Sequence, residues 1–594
     1  MGKLYSYIVV FVFLNAITRP AGAQTWHWAA AAGGDKADYI GGMANDGNGS
    51  VVVASGFRGS AVYGDSAFTA ASSTGVDQVL TRYDSRGRIL WTRHFPVRFG
   101  YGYNNYDDVP LFVDIDRDKN IYATGALYYY DGFTVDGVLF QQVAGKSRCF
   151  IVALDSSGTV KWVQLIDKHG VYMHNMLRSV KVLRSGDILV SGDSEDLLGI
   201  NRRKKAFLAL FANDGQEKWF STIPGEDTGK QIASGARCLY EDPSGDIYIA
   251  GRNTMTGTVN PIIDERMSPP GIYLAKFTAS GTHVWTQINP DSTQSNNVIE
   301  DKFARVLALH GNGTGRLYCY FANDKKRQDF GKGMTFSADK SCRAGYHAVL
   351  DTSGAVISVS PFSLLYDGPD RYSGIVAEET FAFNSCIYED DGSFCLAGTM
   401  IGRNELRDGT VLVSDSGAMN KNTKDALFLE LNADFTLKRF ICNTGSGAEQ
   451  GYVLNRIGNS GAYAMAGVFR SSRGAYTRFG DSLFTSRGTI EADVFVTSFT
   501  PGVYSDNENG IASQAGGGFP VTVYPNPASG YVYVDIPRAG DFRMRLLSPE
   551  GKIFSDKRIK GGRHAVPLTE IPPGIYLLQL TDREHSVVRK ISLY

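Results

Sequence analysis

The feature that most narrows what this chain can become is a phrase that returns at intervals of roughly 70 residues. It runs turn, alternating strand, small residue, glycine. The copies are DGNGSVVVASGF, DRDKNIYATGAL, RSGDILVSGDS, PSGDIYIAGRN, DDGSFCLAGTM and NSGAYAMAGVF, with GTGRLYCYFAN as a worn one. They close on Gly56, Gly125, Gly192, Gly251, Gly398 and Gly467, and on Phe321 in the worn copy. A second phrase follows each first one: QVLTRYDSRGRILWTRHF, CFIVALDSSGTVKWVQLI, AFLALFANDGQEKWFSTI and IYLAKFTASGTHVWTQI. Each is a strand, a turn ending in Gly, and a strand bearing Trp91, Trp162, Trp219 or Trp285. Two later copies, HAVLDTSGAVISVSPF and LFLELNADFTLKRFICN, lack the tryptophan. Every unit therefore holds two hairpins, with period-2 alternation and Gly, Asp and Asn in the turns. Four antiparallel strands repeated seven times predict an all-β fold, a seven-bladed β-propeller. A β-helix would need shorter repeats and stacked immunoglobulin-like domains longer ones.

The last unit stops at DVFVTSFTPG, Asp493 to Gly502, with no tryptophan strand after it. TWHWAAAAGG, Thr25 to Gly34, has the missing form. Trp26 and Trp28 are thus assigned to ring closure: the N-terminal strand should pair near Val494 to Ser498 and complete the last blade. All six tryptophans then fall into one structural role.

Residues 1–23 read as a secretory signal peptide. Lys3 supplies the charged start, YIVVFVFLNAI a short apolar core, and Ala21 to Ala23 the small-x-small cleavage pattern. The propeller is expected over 24–501. With 60 basic and 61 acidic residues the net charge is -1, which gives no general attraction for nucleic acid or an anionic membrane. The seven cysteines include no C-x-x-C pair. Cys386 and Cys395 flank one turn and are candidates for a disulfide in an exported protein.

Residues 502–519 are polar and Gly-rich and read as a flexible linker. Residues 520–594 alternate in short strands broken by Pro and Gly, as in a small C-terminal β-sandwich. Here the chain carries YPNP (Tyr524, Pro525, Asn526, Pro527), LLSPEGKIF, PGIYLLQL with Gly574 and Tyr576, and RKISLY with Lys590. This segment resembles the type A C-terminal sorting domain of the type IX secretion system of Bacteroidetes. The preceding units resemble bacterial seven-bladed propeller repeats of the form D-x-x-G-N-x-Y-x-x-G. The first resemblance implies export to the periplasm, passage across the outer membrane through the type IX and sortase machinery, and removal of the tail before Phe519. The remainder would be attached to surface lipopolysaccharide, rather than spanning a membrane, or released outside the cell.

Catalytic signatures are sparse. There is no H-E-x-x-H and no G-x-S-x-G. GEDTGKQ, Gly225 to Gln231, is one residue too short between its glycines for a phosphate loop. Asp114, Asp116, Asp118 and Asn120 alternate in DIDRDKN, a pattern that can wrap calcium and that equally makes a hairpin turn. No other cofactor is implied. His169 and His174 form a weaker metal candidate. Counting eight residues back from Gly186, Gly245 and Gly313 gives Arg178, Arg237 and Arg305 at the starts of three successive inner strands, with Gly315 an equal candidate for the aligned turn glycine of the worn third copy. Three guanidiniums at one channel mouth would attract anionic groups; the competing reading is local salt bridging, to Asp301 for example. The other copies carry Gly41, Leu111, Asn384 and Val453 there. Asp65-Ser66-Ala67, Asp291-Ser292-Thr293 and Asp481-Ser482-Leu483 resemble the sites of Bacteroidetes O-glycosylation. FGYGYNNYDD and ALYYYDGF are dense in tyrosine, which stacks on sugars when exposed.

The expected function is a secreted or cell-surface binding or adhesion protein for a glycan or protein ligand. The alternatives are a propeller-fold lyase or glycosidase, which needs converging carboxylates, and a structural surface component.

Overall fold

The computed structural model describes most of residues 25–503 and 521–593; the larger stretches outside the description are 99–110, 254–270, 291–304, 363–380 and 414–423. Every regular element within it is a β-strand. Residues 1–24, read above as a leader, and 504–520, most of the linker, lie outside the described residues.

Among the described residues seven antiparallel sheets share one four-strand order. The first runs Asp38–Asn45, Val51–Phe57, Asp77–Tyr83 and Ile89–Phe95. The next five occupy 112–166, 174–222, 238–290, 305–362 and 381–442 in the same consecutive order. The seventh takes three strands from Ala448–Ile457, Ala462–Arg470 and Asp493–Thr500, and its fourth from Thr25–Gly34. That pairing runs from Thr25 opposite Thr500 to Ala32 opposite Val494. The first strand of each sheet lies against the first strand of the next, and Asp38–Asn45 also lies against Ala448–Ile457.

The apolar faces of these sheets are buried between neighbours, so the core is a series of layers. One layer joins Leu80 and Val52 of the first sheet to Val113, Ile121 and Val152 of the second. Another joins Met43, Val51 and Tyr83 to Trp28, Ala464 and Val496 of the seventh. Strands buried on both faces read as runs rather than strict alternation, and Val51–Phe57 and Phe394–Met400 are buried at every position.

Neighbouring sheets are joined by a tryptophan and a glycine. In the turns before the fourth strands, Gly87, Gly158, Gly215, Gly281 and Gly354 adopt positive φ of 78° to 89°, a region that favours glycine. Their bare α-carbons receive the indoles of Trp28, Trp91, Trp162, Trp219 and Trp285, each from the preceding sheet; an added Cβ would come within 2.5–3.2 Å of the ring. Four of the indole N–H groups donate to turn carbonyls, of Ser156, Asn213, Ala279 and Thr352, at 2.9–3.3 Å.

A third hairpin in the connection between second and third strands was not foreseen. In the first sheet it is Ser60–Tyr63 with Ser66–Thr69, and it pairs with Gly33 and Gly34 of the N-terminal strand. A Cβ on Gly34 would land on the Ser60 carbonyl oxygen, so close pairing requires glycine there. Gly132–Val135 and Val138–Gln141 of the second sheet pair likewise with Val97–Arg98, beyond the outer strand of the first. Thr477–Phe479 and Ser482–Phe484 of the seventh pair with Thr444–Gly445, beyond that of the sixth. These three hairpins strap the first, second and seventh sheets each to the one before it. Buried Asp77 and Asp493, opening third strands, hold the strap exits: their carboxylates accept the N–H of Ala71 at 3.0 Å and of Arg487 at 2.8 Å.

The C-terminal segment is one sheet doubled over a single core. The long strand Tyr531–Leu547 breaks register between Ile536 and Asp541 and pairs with Ile553–Pro567 along both halves. Thr522–Ser529 pairs with its first half and Gly574–Thr581 with its second. Val532, Val534 and Ile536 then meet Phe542, Met544, Leu578 and Ile591 in the interior.

Candidate functional site

Each of the seven sheets has two unlike ends. First and second strands are joined by short turns, as are third and fourth within the first six sheets, and these turns share one end. The straps and the sheet-to-sheet connections leave from the other. Loops carry ligand sites more often than the strands that hold them, and the longer connections all belong to the second end.

Arg178 lies there, at a bulge between Leu177 and Ser179 in the first strand of the third sheet. Its guanidinium forms a two-point ion pair with Asp193, Nε donating to Oδ1 at 2.6 Å and Nη2 to Oδ2 at 3.2 Å. Asp193 is nearly buried, and Arg178 is mostly so. The charge of Arg178 is thus compensated inside the sheet by Asp193. The sequence signal was present: Asp193 follows the closing Gly192, where other copies carry Phe, Ala, Arg, Thr or Val.

Arg237 occupies the matching position in the fourth sheet, since Cys238 pairs with Ala250 as Ser179 pairs with Ser191. It is exposed. Arg305 does not match. Val306 pairs with Phe321 and Ala308 with Tyr320, which makes Leu307 the bulged residue. In the worn copy Gly315, not Gly313, is the aligned turn glycine, and the expected third arginine falls two residues early. Asn384 does sit at the bulge of the sixth sheet, while Tyr452 rather than Val453 occupies that of the seventh. The equivalent positions therefore combine Arg178, Arg237, Asn384 and Tyr452 with apolar Leu111 and Leu307.

The proposed calcium ligands do not converge. Asp114 is half-buried, and desolvation pushes its carboxyl up; its oxygens accept the N–H of Ile115 at 2.9 Å and of Val182, in the next sheet, at 2.7 Å. Asp116 accepts the backbone and side-chain N–H groups of Asn120 at 2.7 and 2.8 Å and the hydroxyl of Tyr122 at 3.0 Å. Asp118 is exposed at the turn. The acids serve as turn acceptors, and no group of three His, Cys, Asp or Glu converges among the described residues. His169 and the side chain of His174 lie outside the description, as do Gln231 and most of GEDTGKQ.

Cys386 and Cys395 are both free thiols. Cys386 pairs with Leu396 and Cys395 with Ile387, so adjacent positions turn the two thiols to opposite faces of the sheet. One joins the core toward the fifth sheet and the other the core toward the seventh.

Asp65-Ser66-Ala67 and Asp481-Ser482-Leu483 fall on strap hairpins, just after Gly64 and Gly480, whose φ values are 59° and 58°. The recurring GDSAFT and GDSLFT mark tight hairpin turns, a repeat that sequence reasoning overlooked. Asp291 to Thr293 and most of the two tyrosine-rich stretches lie outside the described residues.

Trp26 and Trp28 lie on the N-terminal strand, on either side of a bulge at His27. Trp28 stacks on Tyr83 of the first sheet at 5.8 Å, and its backbone carbonyl accepts the Thr497 hydroxyl at 2.8 Å. Trp26 packs edge-on against Phe479 of a strap at 5.1 Å.

In the C-terminal segment Tyr524 is buried against Tyr533, with the Arg563 guanidinium over both rings at 5.3 and 5.5 Å. Tyr576 donates to the Pro572 carbonyl at 2.6 Å and meets Phe554 edge-on. Gly574 and Lys590 pair with Leu593 and Leu577. Pro525, Asn526 and Pro527 lie on Thr522–Ser529, their side chains outside the description.

Residues 522–593 match the secretion system C-terminal sorting domain. This tail marks the chain for export by the type IX system, to the cell surface or beyond. No helix among the described residues is long and apolar enough to cross a membrane. No curated protein sequence matches the chain. Solved structures similar to it include a protein of unknown function from Dyadobacter fermentans, at 9% identity over 81% of this chain and 100% of that one, TM-score 0.34. PorZ of Porphyromonas gingivalis, a surface component of the type IX system, is similar at 11% identity over 93% and 81%, TM-score 0.19. The arabinanase Arb43A of Bacillus subtilis is similar at 11% identity over 55% and 94%, TM-score 0.24.

Proposed function

We propose that residues 25–503 form a closed seven-bladed β-propeller that acts as a secreted or surface-attached binding protein. Its ligand is a glycan or protein, met at the end of the ring from which the long connections leave. The closed ring is supported by the contact of Asp38–Asn45 with both the second and the seventh sheets, and by the strand Thr25–Gly34. The observation that carries the functional reading is the asymmetry of the sheets: short turns occupy one end and every long connection the other. A rigid ring with one elaborated end suits ligand presentation. Exposed Arg237 lies at that end and favours ligands with acidic groups. The tail would be removed by the sortase machinery and the ring attached to lipopolysaccharide or released.

The test is a glycan array probed with the mature secreted chain, with hydrolysis followed on the same sugars. Binding to acidic glycans that falls on Arg237→Ser supports the reading. Turnover of any glycan would make the protein an enzyme instead, and neither binding nor turnover would leave a structural component.

A further inference from the structure

The end of the N-terminal strand is wedged between two carboxyl groups. Asp38 opens the first sheet and Asp493 opens the third strand of the seventh. A Cβ on Gly33 would lie 2.5 Å from Asp38 Oδ2 and 2.6 Å from Asp493 Cγ, so both carboxyls converge on one glycine. The two residues are 3% and 2% exposed, which leaves water little access to either.

One oxygen of each acid is accounted for. Asp38 Oδ2 accepts the Gly34 N–H at 3.0 Å, and Asp493 Oδ2 accepts the Arg487 N–H at 2.8 Å. The other two, Asp38 Oδ1 and Asp493 Oδ1, are buried and meet no donor. An unpaired buried acceptor is costly, and two ionised carboxylates in one dry site repel. A single proton between them removes both problems, as in other carboxyl pairs that cannot both ionise. The charged or titratable groups acting on the pair are Asp35, Arg487 and Tyr63. Asp35 adds repulsion. Arg487 attracts, but its guanidinium donates to the Gly33 and Val62 carbonyls at 3.0 and 3.3 Å. Tyr63 is buried and hydrogen-bonded to Ser55 at 3.0 Å.

We propose that Asp38 and Asp493 share one proton, and that this proton is a pH-sensitive clasp between the first and last sheets of the ring. Burial pushes both carboxyls up, and the charge of Asp493 raises that of Asp38 further. The folded chain therefore holds this proton more tightly than the unfolded chain does. Stability is greatest while the proton is bound and falls as pH rises through its loss. With the proton gone the two carboxylates repel across Gly33, so the N-terminal strand wedged between them loosens first. The inference rests on the closed-ring reading.

The experiment uses the full chain and two variants, Asp38→Asn and Asp493→Asn. Infrared spectra at neutral pH should contain a protonated carboxyl band that Asp38→Asn removes. The wild-type melting temperature should fall more steeply from neutral to alkaline pH than that of Asp38→Asn, and amide exchange at Ala29 to Gly34 should accelerate with it. A band unchanged by either substitution, or parallel pH curves, overturns the clasp. A rise in wild-type melting temperature with calcium at neutral pH, absent from Asp38→Asn, also overturns it, because the pair would then hold a cation. The infrared band of the wild type against Asp493→Asn keeps the test decisive where Asp38→Asn does not fold. Deleting Thr25 to Gly34 separates the two readings: no loss of stability refutes the ring, whereas a loss combined with parallel pH curves refutes only the shared proton.

Discussion

Trp28 covers Gly87, and through that contact the N-terminal strand of the seventh sheet grips a turn of the first; a Cβ on Gly87 would lie 2.6 Å from the indole. Trp28 is 9% exposed, so truncation leaves a cavity. Trp28→Ala should cost about 3–5 kcal/mol in urea unfolding. Gly87→Ala should also destabilise, because the turn needs φ of 78° and the indole occupies the space. If Trp28→Ala unfolds with the wild-type midpoint, the strand is not held by this contact.

The latch is inverted between the fifth and sixth sheets. Ser358 stands where the fifth sheet should carry tryptophan, and Phe435 where the sixth should carry the turn glycine. Phe435 keeps the positive φ, 71°, and its ring packs against His347 and Phe394 at 5.8 and 5.6 Å. The aromatic group thus comes from the turn instead of the strand. Phe435→Gly should destabilise the chain by about 3 kcal/mol or more, and Ser358→Trp added to it should restore part of the loss. A double-mutant cycle measures the coupling; strict additivity would show that the two positions do not compensate.

The repeat made most of this architecture legible. Alternation, turn residues and the six tryptophans located the four strands of each unit, and the incomplete last unit pointed to Thr25–Gly34 as a strand near Val494. Local rules reached less far. The straps were missed because their short strands lie inside connections of varied length, where only the GDS turn recurs. Arg305 was misplaced because the worn copy offers two turn glycines, and counting from Gly313 instead of Gly315 moves the position by two residues. The partner of Arg178 depends on cross-strand register, which spacing from a turn does not contain.

Arg178 and Asp193 provide a charge test. Removing one member of a buried pair strands the other. Arg178→Met should cost about 3–5 kcal/mol, and Arg178→Met with Asp193→Leu much less. Arg237→Ser, at an exposed residue, should leave the unfolding midpoint nearly unchanged. Equal effects of Arg178→Met and Arg237→Ser on stability would refute the assigned roles.

Glu449 carries a separate pH dependence. It is fully buried, accepts the Thr477 hydroxyl, and burial raises its carboxyl from 4.5 to about 8. The native state therefore keeps a proton that the unfolded state releases across that interval, and stability falls as pH rises through it. Glu449→Gln should flatten the unfolding free energy between those two pH values. A slope identical to wild type would mean that Glu449 is ionised in the fold.

The tail makes a prediction about location. Deleting residues 520–594 should leave the protein in the periplasm, detected by fractionation and surface proteolysis. Surface display of the truncated protein would show that export does not depend on the segment matched at 522–593.

The fourth strand of the seventh sheet has a consequence for the order of assembly. Thr25–Gly34 is synthesised before any of its sheet partners, and Asp493–Thr500 comes near the end of the chain. Gly33 and Gly34 gain Ser60–Tyr63 early, but until Asp493–Thr500 is made the stretch Thr25 to Ala32 has no permanent partner. The entropy of joining such distant segments grows only logarithmically with separation, but the waiting strand is open to wrong pairings. A chain that terminates before Asp493 can never cover it. The join thus makes completion of the last repeat a condition for covering the edge of the first strand.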